Sequence, residues 1–329
     1  MIPKDKIQKI CSEYDIGDYA SIKKVAEGIL NDNHVLETTT GKYFIKSVRK
    51  KAKGQLSMIY GVESFMKSAG IPAVAMLKTK SGDIFVADDM EVYTLYPFIE
   101  AENSRNYFDN DYKIMGEMLG KIHISGRGDT SEIPNLKQFK RPTDEVIMER
   151  LRSYKEEIKN KNNQDEMDKI FSEYIDFKLI TVPKIKDVAL ANDTLIHGDY
   201  HPGNLLMDKL TREIIGVCDW EKAEFGPRAY ELARSLLYCC FYDGYKVERA
   251  LADLKLFFEG YLSVFPMDIK EIMDGLNMRI HRMALSSWLE EKHYKEKETR
   301  ADHLVGHEMG LVDEAVNGKL LEQIKNLVF

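Results

Sequence analysis

The chain has 329 residues, of which 44% are hydrophobic and 31% are charged. This balance excludes a disordered chain and is typical of a folded protein with a real core, and the length predicts about two domains. Because 47 basic and 54 acidic side chains leave a formal net charge of −7, we expect no broad basic surface for nucleic acid or anionic lipid, although a local basic cleft is compatible with this charge.

The cysteines and the N-terminal residues bear on the cellular compartment. The four cysteines stand at positions 11, 218, 239 and 240, without C-x-x-C spacing, and we expect free, buried thiols rather than a disulfide framework. The first ten residues alternate charged and apolar side chains, and no later run has the length of a membrane span. We therefore expect a cytoplasmic protein that binds no membrane.

The first hundred residues are rich in β-forming residues. The runs 22–30, 34–39 and 43–48, with Gly41 at a turn, predict an antiparallel meander. Residues 56–66 then carry apolar side chains at helical spacing. The runs 81–88 and 91–99 predict two more strands, so this part of the chain is expected to be a small β-rich lobe with one helix.

Helical spacing dominates from residue 109 onwards. It predicts a helix at 109–126, charged helices over 144–178 with a break near 160–163, and a mainly helical stretch over 229–329. Two short strands are expected at 195–199 and 214–220. The predicted fold class is therefore α+β, with a β-rich lobe (1–98), a connector near 97–102 and a larger helical lobe (99–329). The crevice between two such lobes is the expected ligand site.

The most informative motif is HGDYHPGNLL at residues 197–206. Asp199 and Asn204 have the spacing of H-x-D-x-x-x-x-N, in which the Asp orients and deprotonates a hydroxyl and the Asn binds a metal ion. Asp219 ends an apolar strand fifteen residues further on. Burying a lone carboxylate costs free energy, whereas a bound Mg²⁺ would neutralise its negative charge. His201 beside Asp199 is expected either to touch phosphate or metal, or to fix the loop.

A lysine and a glutamate upstream complete the pattern. Lys46 lies within a predicted strand and Glu63 on the following predicted helix. This pair matches the lysine that contacts nucleotide phosphates and the glutamate that holds this lysine. The lysine, the glutamate, the loop with Asp199 and Asn204, and Asp219 occur in the expected order along the chain. This combination indicates the function more specifically than any one of its members.

These motifs resemble those of the aminoglycoside phosphotransferase and choline kinase superfamily, the protein-kinase-like small-molecule kinases. The similarity covers nearly the whole chain and is strongest in HGDYHPGNLL and in GVCDWEKAEFGPRAYELA at 216–233. It implies a two-lobed protein-kinase-like fold and the transfer of the γ-phosphate of ATP, with Mg²⁺, to a hydroxyl of a small molecule. By position, the resemblance makes Asp199 the catalytic base, Asn204 and Asp219 the Mg²⁺ ligands, and Lys46 the ATP phosphate contact positioned by Glu63.

The same resemblance implies further nucleotide contacts. The segment 95–100, with Tyr96 and Phe98, is similar to the hinge that receives adenine through its backbone. GILNDN at 28–33, with Gly28 and Asn33, resembles the G-x-x-N-x-N loop of the homoserine kinase and methylthioribose kinase branch. The sequence is also similar to spore-coat kinase-like proteins.

The acceptor and one rival function stay open. Gly198 stands where protein kinases have the Arg of H-R-D, and only 11 residues separate Asp219 from Glu231, too few for an activation loop, so we expect a small-molecule acceptor. Homoserine, methylthioribose, choline or ethanolamine, an aminoglycoside and a sugar all fit. Trp288, with Glu290 and Glu291 after it, would suit a cationic acceptor, or the Trp packs and the acids are solvated. The alternative function is a catalytically silent kinase-fold binding or spore-coat structural protein.

Overall fold

The computed structural model describes residues 2–25, 32–49, 53–88, 91–102, 109–186, 188–241 and 247–328. The chain packs as two compact units. The first unit comprises Met1–Tyr107, Lys121–Lys137 and Leu195–Phe225, and the second comprises Phe108–Gly120, Gln138–Thr194 and Gly226–Phe329. The predicted lobes, 1–98 and 99–329, follow the chain order, whereas each unit combines separate stretches. The division into these lobes stays a prediction.

The first unit contains a five-stranded antiparallel sheet in the order β1-β2-β3-β5-β4. Its helices and strands are α1 (Lys4–Tyr14), β1 (Tyr19–Lys24), β2 (Asp32–Thr38), β3 (Lys42–Arg49), α2 (Lys53–Ser68), β4 (Val86–Ala87) and β5 (Glu91–Pro97). The predicted meander, the helix after it and the strand at 91–99 are confirmed. The run 81–88 forms only the two-residue strand β4, because most of it is a turn in which Asp83 bonds to Thr79 and Ser81.

The helix α1 corrects the prediction of a single helix in this region. Its buried side chains Ile7, Ile10, Cys11 and Tyr14 recur at spacings of three and four residues, which places them on one helix face. They belong to the same apolar cluster as the sheet residues Leu36, Ile45, Tyr93 and Leu95. Packing against this face of the sheet gives α1 the tertiary contacts that a short helix needs.

Two small sheets contain the other strands of the described part of the chain. They pair β6 (Thr194–Ile196) with β9 (Glu224–Gly226), and β7 (Leu205–Met207) with β8 (Ile214–Val217). The end of β8 is tied to the segment after α2, since the amide of Val217 donates to the carbonyl of Pro72 (2.8 Å) and its carbonyl accepts from Val74 (3.0 Å). This connection brings the residues after Val217 towards the five-stranded sheet of the same unit.

Helices make up most of the remaining chain. They are α3 (Asp109–Ser125), α4 (Asp144–Lys159), α5 (Glu166–Thr181), α6 (Arg228–Cys240), α7 (Val247–Val264), α8 (Ile269–Ala284), α9 (Trp288–Glu290), α10 (Leu304–Val316) and α11 (Leu320–Val328). The predicted break near 160–163 is confirmed, and a capping box between Asp165 and Asp168 starts α5 after it. The α+β class is confirmed. Among the described residues, no helix has the length and apolar character needed to cross a membrane.

Candidate functional site

One face of the five-stranded sheet carries two polar residues that the sequence singled out, Asn33 and Lys46, together with Thr94. Asn33, Lys46 and Thr94 stand directly opposite one another on β2, β3 and β5, and directly opposed residues of an antiparallel sheet share a face. The neighbouring residue Ile45 points to the other face and joins the cluster that includes α1. Within the described residues, the Oδ1 atom of Asn33 is buried and has no hydrogen-bond partner.

Lys46 is held by two carboxylates. Its Nζ atom lies 2.9 Å from Oδ1 of Asp219 and 3.1 Å from Oε1 of Glu221. Burial lowers the pKa of Lys46, but the charges of Asp219 and Glu221 outweigh burial and raise the pKa above its ordinary value. The lysine is therefore a fixed positive charge at neutral pH, with both acids gathered around it.

Glu63 lies on α2 as predicted, but its contacts differ from the expected ones. Its Oε2 accepts from the amide of Met76 (2.9 Å), and its Oε1 accepts from the hydroxyl of Tyr96 (3.3 Å). The expected ion pair with Lys46 does not occur among the described contacts, because Asp219 and Glu221 already bind the ammonium. Burial raises the pKa of Glu63 to about 8, although the Met76 amide and the charge of Lys46 act in the opposite direction. Glu63 thus anchors the segment after α2 to β5.

Residues 219–222 form a tight turn, in which Asp219 precedes the single 3₁₀ turn Trp220–Lys222; we call it the acidic turn. Asp219 has φ 66°, a left-handed conformation that Asp tolerates better than bulkier residues. Trp220 is fully buried and donates from Nε1 to the carbonyl of Val217 (3.1 Å). With Trp220 as the anchor, Asp219 and Glu221 both reach Lys46.

The loop with Asp199 is fixed by His197. The Nδ1 atom of this buried ring accepts from the amide of Asp199 (3.2 Å), so Nε2 carries the proton and donates to the carbonyl of Cys218 (2.9 Å). The ring also packs against Trp220, with 4.4 Å between the centroids. His197 therefore joins the loop before Asp199 to the strand end before Asp219.

Asn204 and His201 brace the same loop. The amide nitrogen of Asn204 donates to the carbonyl of Asp199 (2.9 Å) and lies 3.2 Å from Nε2 of His201. The Nδ1 atom of His201 accepts from the amide of Gly203 (3.0 Å). Since the nitrogen of Asn204 is engaged, its Oδ1 is the atom suited to a metal ion. Of the two expectations for His201, loop bracing is the one seen in these contacts.

Asp199 and Lys222 form a further ion pair of the site. The Nζ atom of Lys222 lies 2.8 Å from Oδ2 of Asp199. Gly198, with φ +76°, makes this possible, because a Cβ atom there would lie 2.0 Å from the carbonyl oxygen of Lys222. The acidic turn therefore supplies partners to both Lys46 and Asp199.

The structure gathers most of the predicted site residues in the first compact unit. Lys46, Asp199, Asn204 and Asp219 lie on its sheet and loops. Phe98 follows β5 and is 38% exposed, whereas the ring of Tyr96 is buried. Gly28, from the predicted nucleotide loop, lies outside the described residues.

Sequence reasoning missed Glu221 and Lys222. Both residues follow Trp220, the residue after Asp219. The available signal was the carboxylate of Glu221, two positions after the expected metal ligand. Its meaning depends on the buried anchor Trp220, because only a turn around this ring directs Asp219 and Glu221 to the same lysine.

A cationic pocket near Trp288 is not supported. In the second unit, Glu290 is buried and pairs with Lys178, with 2.9 Å between Oε1 and Nζ. The Nε1 atom of Trp288 donates to Oε1 of Glu308 (3.1 Å). The tryptophan packs as expected, but Glu290 is a buried ion-pair partner rather than a solvated acid.

Comparison with known proteins identifies the family of this chain. The sequence model of the family described as "Phosphotransferase enzyme family" matches residues 21–261. A homoserine kinase of Rhizobium rhizogenes (strain K84) is 26% identical over 297 residues, which cover 88% of this chain and 87% of that protein.

Two solved structures have similar folds. A spectinomycin phosphotransferase in complex with ADP and spectinomycin gives a TM-score of 0.66 at 18% identity, covering 98% of both chains. An amicoumacin kinase in complex with AMP-PNP, Ca²⁺ and its antibiotic gives a TM-score of 0.65 at 14% identity, covering 99% of this chain and 94% of the other.

Proposed function

The chain belongs to the phosphotransferase enzyme family, and from this membership we propose that it transfers the γ-phosphoryl group of ATP to a hydroxyl of a small molecule, with Asp199 as the catalytic base. One observation carries the proposal: the acidic turn pairs Asp219 and Glu221 with Lys46, and Lys222 with Asp199. A phosphate-binding cation, two metal-binding carboxylates and a base are thereby held by a single short segment.

Asp199 would act on the acceptor. The acceptor hydroxyl attacks the γ-phosphorus, the bond from this phosphorus to the β–γ bridging oxygen breaks, and the hydroxyl proton passes to the carboxylate of Asp199 while ADP leaves. Lys222 and the backbone contact with His197 fix the direction of this carboxylate. Positioning of this kind suits phosphoryl transfer, whose loose transition state requires little covalent participation by the protein.

Lys46 and Asn33 would receive the nucleotide. Both side chains lie on the same face of the sheet, and the buried Oδ1 of Asn33 lacks a partner among the described residues, which suits a ligand donor. Lys46 stays charged because Asp219 and Glu221 raise its pKa. It would neutralise charge on the phosphate oxygens.

The donor set fits Mg²⁺. Asp219, Glu221 and the Oδ1 of Asn204 are oxygen donors, which this hard cation prefers. Within the described residues, no group of three or more His, Cys, Asp and Glu side chains is arranged as a complete metal site, so substrate phosphates would complete the coordination of a cation held by these protein oxygens. When bound, the cation would withdraw charge from the phosphoryl oxygens.

The acceptor is proposed from the relatives and the chemistry together. The names of the matched proteins refer to homoserine, spectinomycin and amicoumacin. We propose a hydroxyl-bearing metabolite or antibiotic of the amino-alcohol, sugar or aminoglycoside class.

A ligand-binding experiment followed by an activity screen tests the proposal. Melting temperatures are measured with ATP, GTP and ADP, each with and without Mg²⁺, and ADP release is then followed with each acceptor class. We expect a Mg²⁺-dependent stabilisation, since a ligand that binds only the native state raises its stability. Asp199→Asn should retain this stabilisation and lose about 10²- to 10⁴-fold in kcat, while the exposed control Asp18→Asn should behave as the wild type.

The outcomes separate the two functions that the sequence left open. Nucleotide stabilisation with acceptor-dependent ADP release supports the proposed kinase. Nucleotide stabilisation without turnover of any acceptor class favours a catalytically silent binding protein. Absence of stabilisation by every nucleotide would overturn the nucleotide site itself.

A further inference from the structure

The side chain of Tyr96 lies on the same face of the five-stranded sheet as Lys46. In the register of β3 and β5, Tyr96 stands opposite Phe44, and Lys46 stands opposite Thr94. Tyr96 and Lys46 are therefore diagonal neighbours, and side chains at such positions reach each other when one is aromatic and the other is long. The ammonium of Lys46 accordingly lies 5.8 Å from the ring centre of Tyr96. The lysine thus has an aromatic neighbour in addition to its two carboxylates.

The hydroxyl of Tyr96 is bound to Glu63. It donates to Oε1 of Glu63 (3.3 Å), while Oε2 of the same carboxyl group accepts from the amide of Met76 (2.9 Å). Glu63 and Tyr96 are only 1% and 7% exposed, and breaking a buried hydrogen bond costs free energy because the group left behind has no water to bind. Burial also raises the pKa of Tyr96 well above its ordinary value, so its hydroxyl keeps the proton that it donates. Glu63 therefore fixes the position of the Tyr96 ring.

Tyr96 connects two groups that have no direct ion pair within the described residues. The ion pairs of Lys46 are with the acidic turn, and the hydrogen bonds of Glu63 are with Tyr96 and the backbone. Burial raises the pKa of Glu63 to about 8, so near neutral pH this residue acts more as a hydrogen-bonding group than as a counter-charge for the lysine. The contact that extends from Glu63 towards Lys46 is the Tyr96 ring.

A ring beside the ammonium restricts the directions that Lys46 can take. Lysine carries a point charge on a flexible four-carbon stem, so the two carboxylates alone leave it several ways of reaching them. A cation is attracted to the face of an aromatic ring, and this attraction is stronger where water is excluded. The Tyr96 ring therefore favours the directions in which the ammonium stays beside it.

We propose that the side chain of Tyr96 is a positioning residue for Lys46 and transmits the anchoring by Glu63 to this lysine. The proposal rests on the proposed kinase function, in which Lys46 contacts the nucleotide phosphates. It is separate from the backbone contact with adenine that the family resemblance implies for this segment, because it concerns the side chain and the phosphates. Glu63, Tyr96 and Lys46 then form a line of three side chains in place of the expected direct pair.

Adenosine and ATP separate an effect on the phosphates from an effect on the base. Isothermal titration calorimetry measures the Kd of adenosine, and of ATP with Mg²⁺, for the wild type and for Tyr96→Leu. We expect Tyr96→Leu to bind MgATP about threefold to thirtyfold more weakly, as loss of a cation–π contact predicts, and to bind adenosine as the wild type does. An equal loss for adenosine and MgATP would show that Tyr96 contacts the base and would overturn the proposal.

A double-mutant cycle tests whether Tyr96 acts through Lys46. Lys46→Met removes the ammonium, so adding Tyr96→Leu to this variant should cause no further loss of MgATP affinity. A purely structural role of the ring would instead weaken binding by the same factor with and without the lysine. That additive result would overturn the proposal.

The hydroxyl and the ring are separated by a conservative variant. Tyr96→Phe keeps the ring and loses the bond to Glu63, so it should recover most of the affinity that Tyr96→Leu loses, and Glu63→Gln should cause little further loss in the Tyr96→Phe background. Tyr93→Phe is the matched control, because Tyr93 lies on the same strand but belongs to the apolar cluster with α1 on the opposite face. This control should bind MgATP as the wild type does.

Circular dichroism of each variant confirms folding. If Tyr96→Leu does not fold, Tyr96→Phe decides the proposal, with at least about twofold weaker MgATP binding expected and additivity with Glu63→Gln as the contradicting result. If the wild type binds neither ATP nor ADP, the proposed function fails and the positioning role fails with it. Nucleotide binding that the Tyr96 variants leave unchanged overturns only the positioning role.

Discussion

The ammonium of Lys222 lies 2.8 Å from Oδ2 of Asp199. The two residues are 23 positions apart in the chain and come from different loops of the first unit. Because the lysine is half exposed, the pair contributes little to stability, but it engages Oδ2 of Asp199 and so restricts the direction of the carboxylate. Lys222 is thus a positioning residue for the proposed base.

Replacing Lys222 tests this positioning role. Lys222→Met should lower kcat about tenfold or more with little change in the KM for ATP, since misplacement of a catalytic group affects the reaction more than nucleotide binding. Lys222→Arg should recover part of the loss because it can still donate to Asp199. Steady-state kinetics provide the measurement, with the exposed Lys209→Met as the control. Unchanged kcat in Lys222→Met would show that the ion pair has no catalytic consequence.

Gly198→Ala should destabilise the protein and impair turnover. The added Cβ meets the carbonyl of Lys222 at 2.0 Å, and φ is +76°, so the substitution combines a clash with an unfavourable backbone conformation. We expect a loss of roughly 2 to 3 kcal/mol in the free energy of unfolding, measured by urea denaturation.

A second glycine separates these two causes. Gly70 has φ +83°, and a Cβ atom added there would meet no described atom within 4 Å, so Gly70→Ala carries the backbone cost alone, about 1 to 2 kcal/mol. An equal loss in both variants would contradict the importance of the contact with Lys222.

Replacing either of the two acids that contact Lys46 should weaken nucleotide binding, whereas replacing an exposed acid elsewhere should not. Asp219→Ala and Glu221→Ala should each reduce the Mg²⁺-dependent stabilisation by ATP, and about tenfold weaker binding corresponds to about 1.4 kcal/mol. Isothermal titration calorimetry with MgATP gives the affinity. Glu213→Ala, at an exposed position of the same unit, is the matched control. If Glu221→Ala binds MgATP as tightly as this control, Glu221 does not belong to the metal site.

Glu63 should make stability depend on pH. Burial raises its pKa to about 8, above the value near 4.3 expected in the unfolded chain. The folded state therefore binds the proton more tightly, and its contribution to stability is complete below about pH 4 and is lost as the pH rises towards 8, with a slope of at most about 1.4 kcal/mol per pH unit.

Comparison with Glu63→Gln isolates this contribution. Because glutamine does not titrate, the variant should lose less stability than the wild type between about pH 5 and pH 8, measured as the difference in free energy of unfolding across that range. Parallel curves for the two proteins would mean that Glu63 keeps an ordinary pKa in the folded state.

The local sequence pattern was sufficient to predict much of the fold and the order of the candidate site residues along the chain. Helical spacing and turn residues predicted α2 and the break before α5, and the spacing of Asp199, Asn204 and Asp219 led to the phosphotransferase family that the family model confirms. These features depend on residues close together in the chain. The helix α1 was missed because its apolar face becomes clear only where it packs on the sheet.

The sequence by itself determined the class of fold and the family, and it supplied the residues that we propose for phosphoryl transfer, because these depend on residue types at fixed spacing. Only the tertiary structure decided which charges meet. Lys46 pairs with Asp219 and Glu221 rather than Glu63, and Lys222 reaches Asp199. These pairings depend on strand register, on the bonds between Val217 and the segment after α2, and on the buried ring of Trp220, and none of these long-range contacts leaves a periodic signal in the sequence.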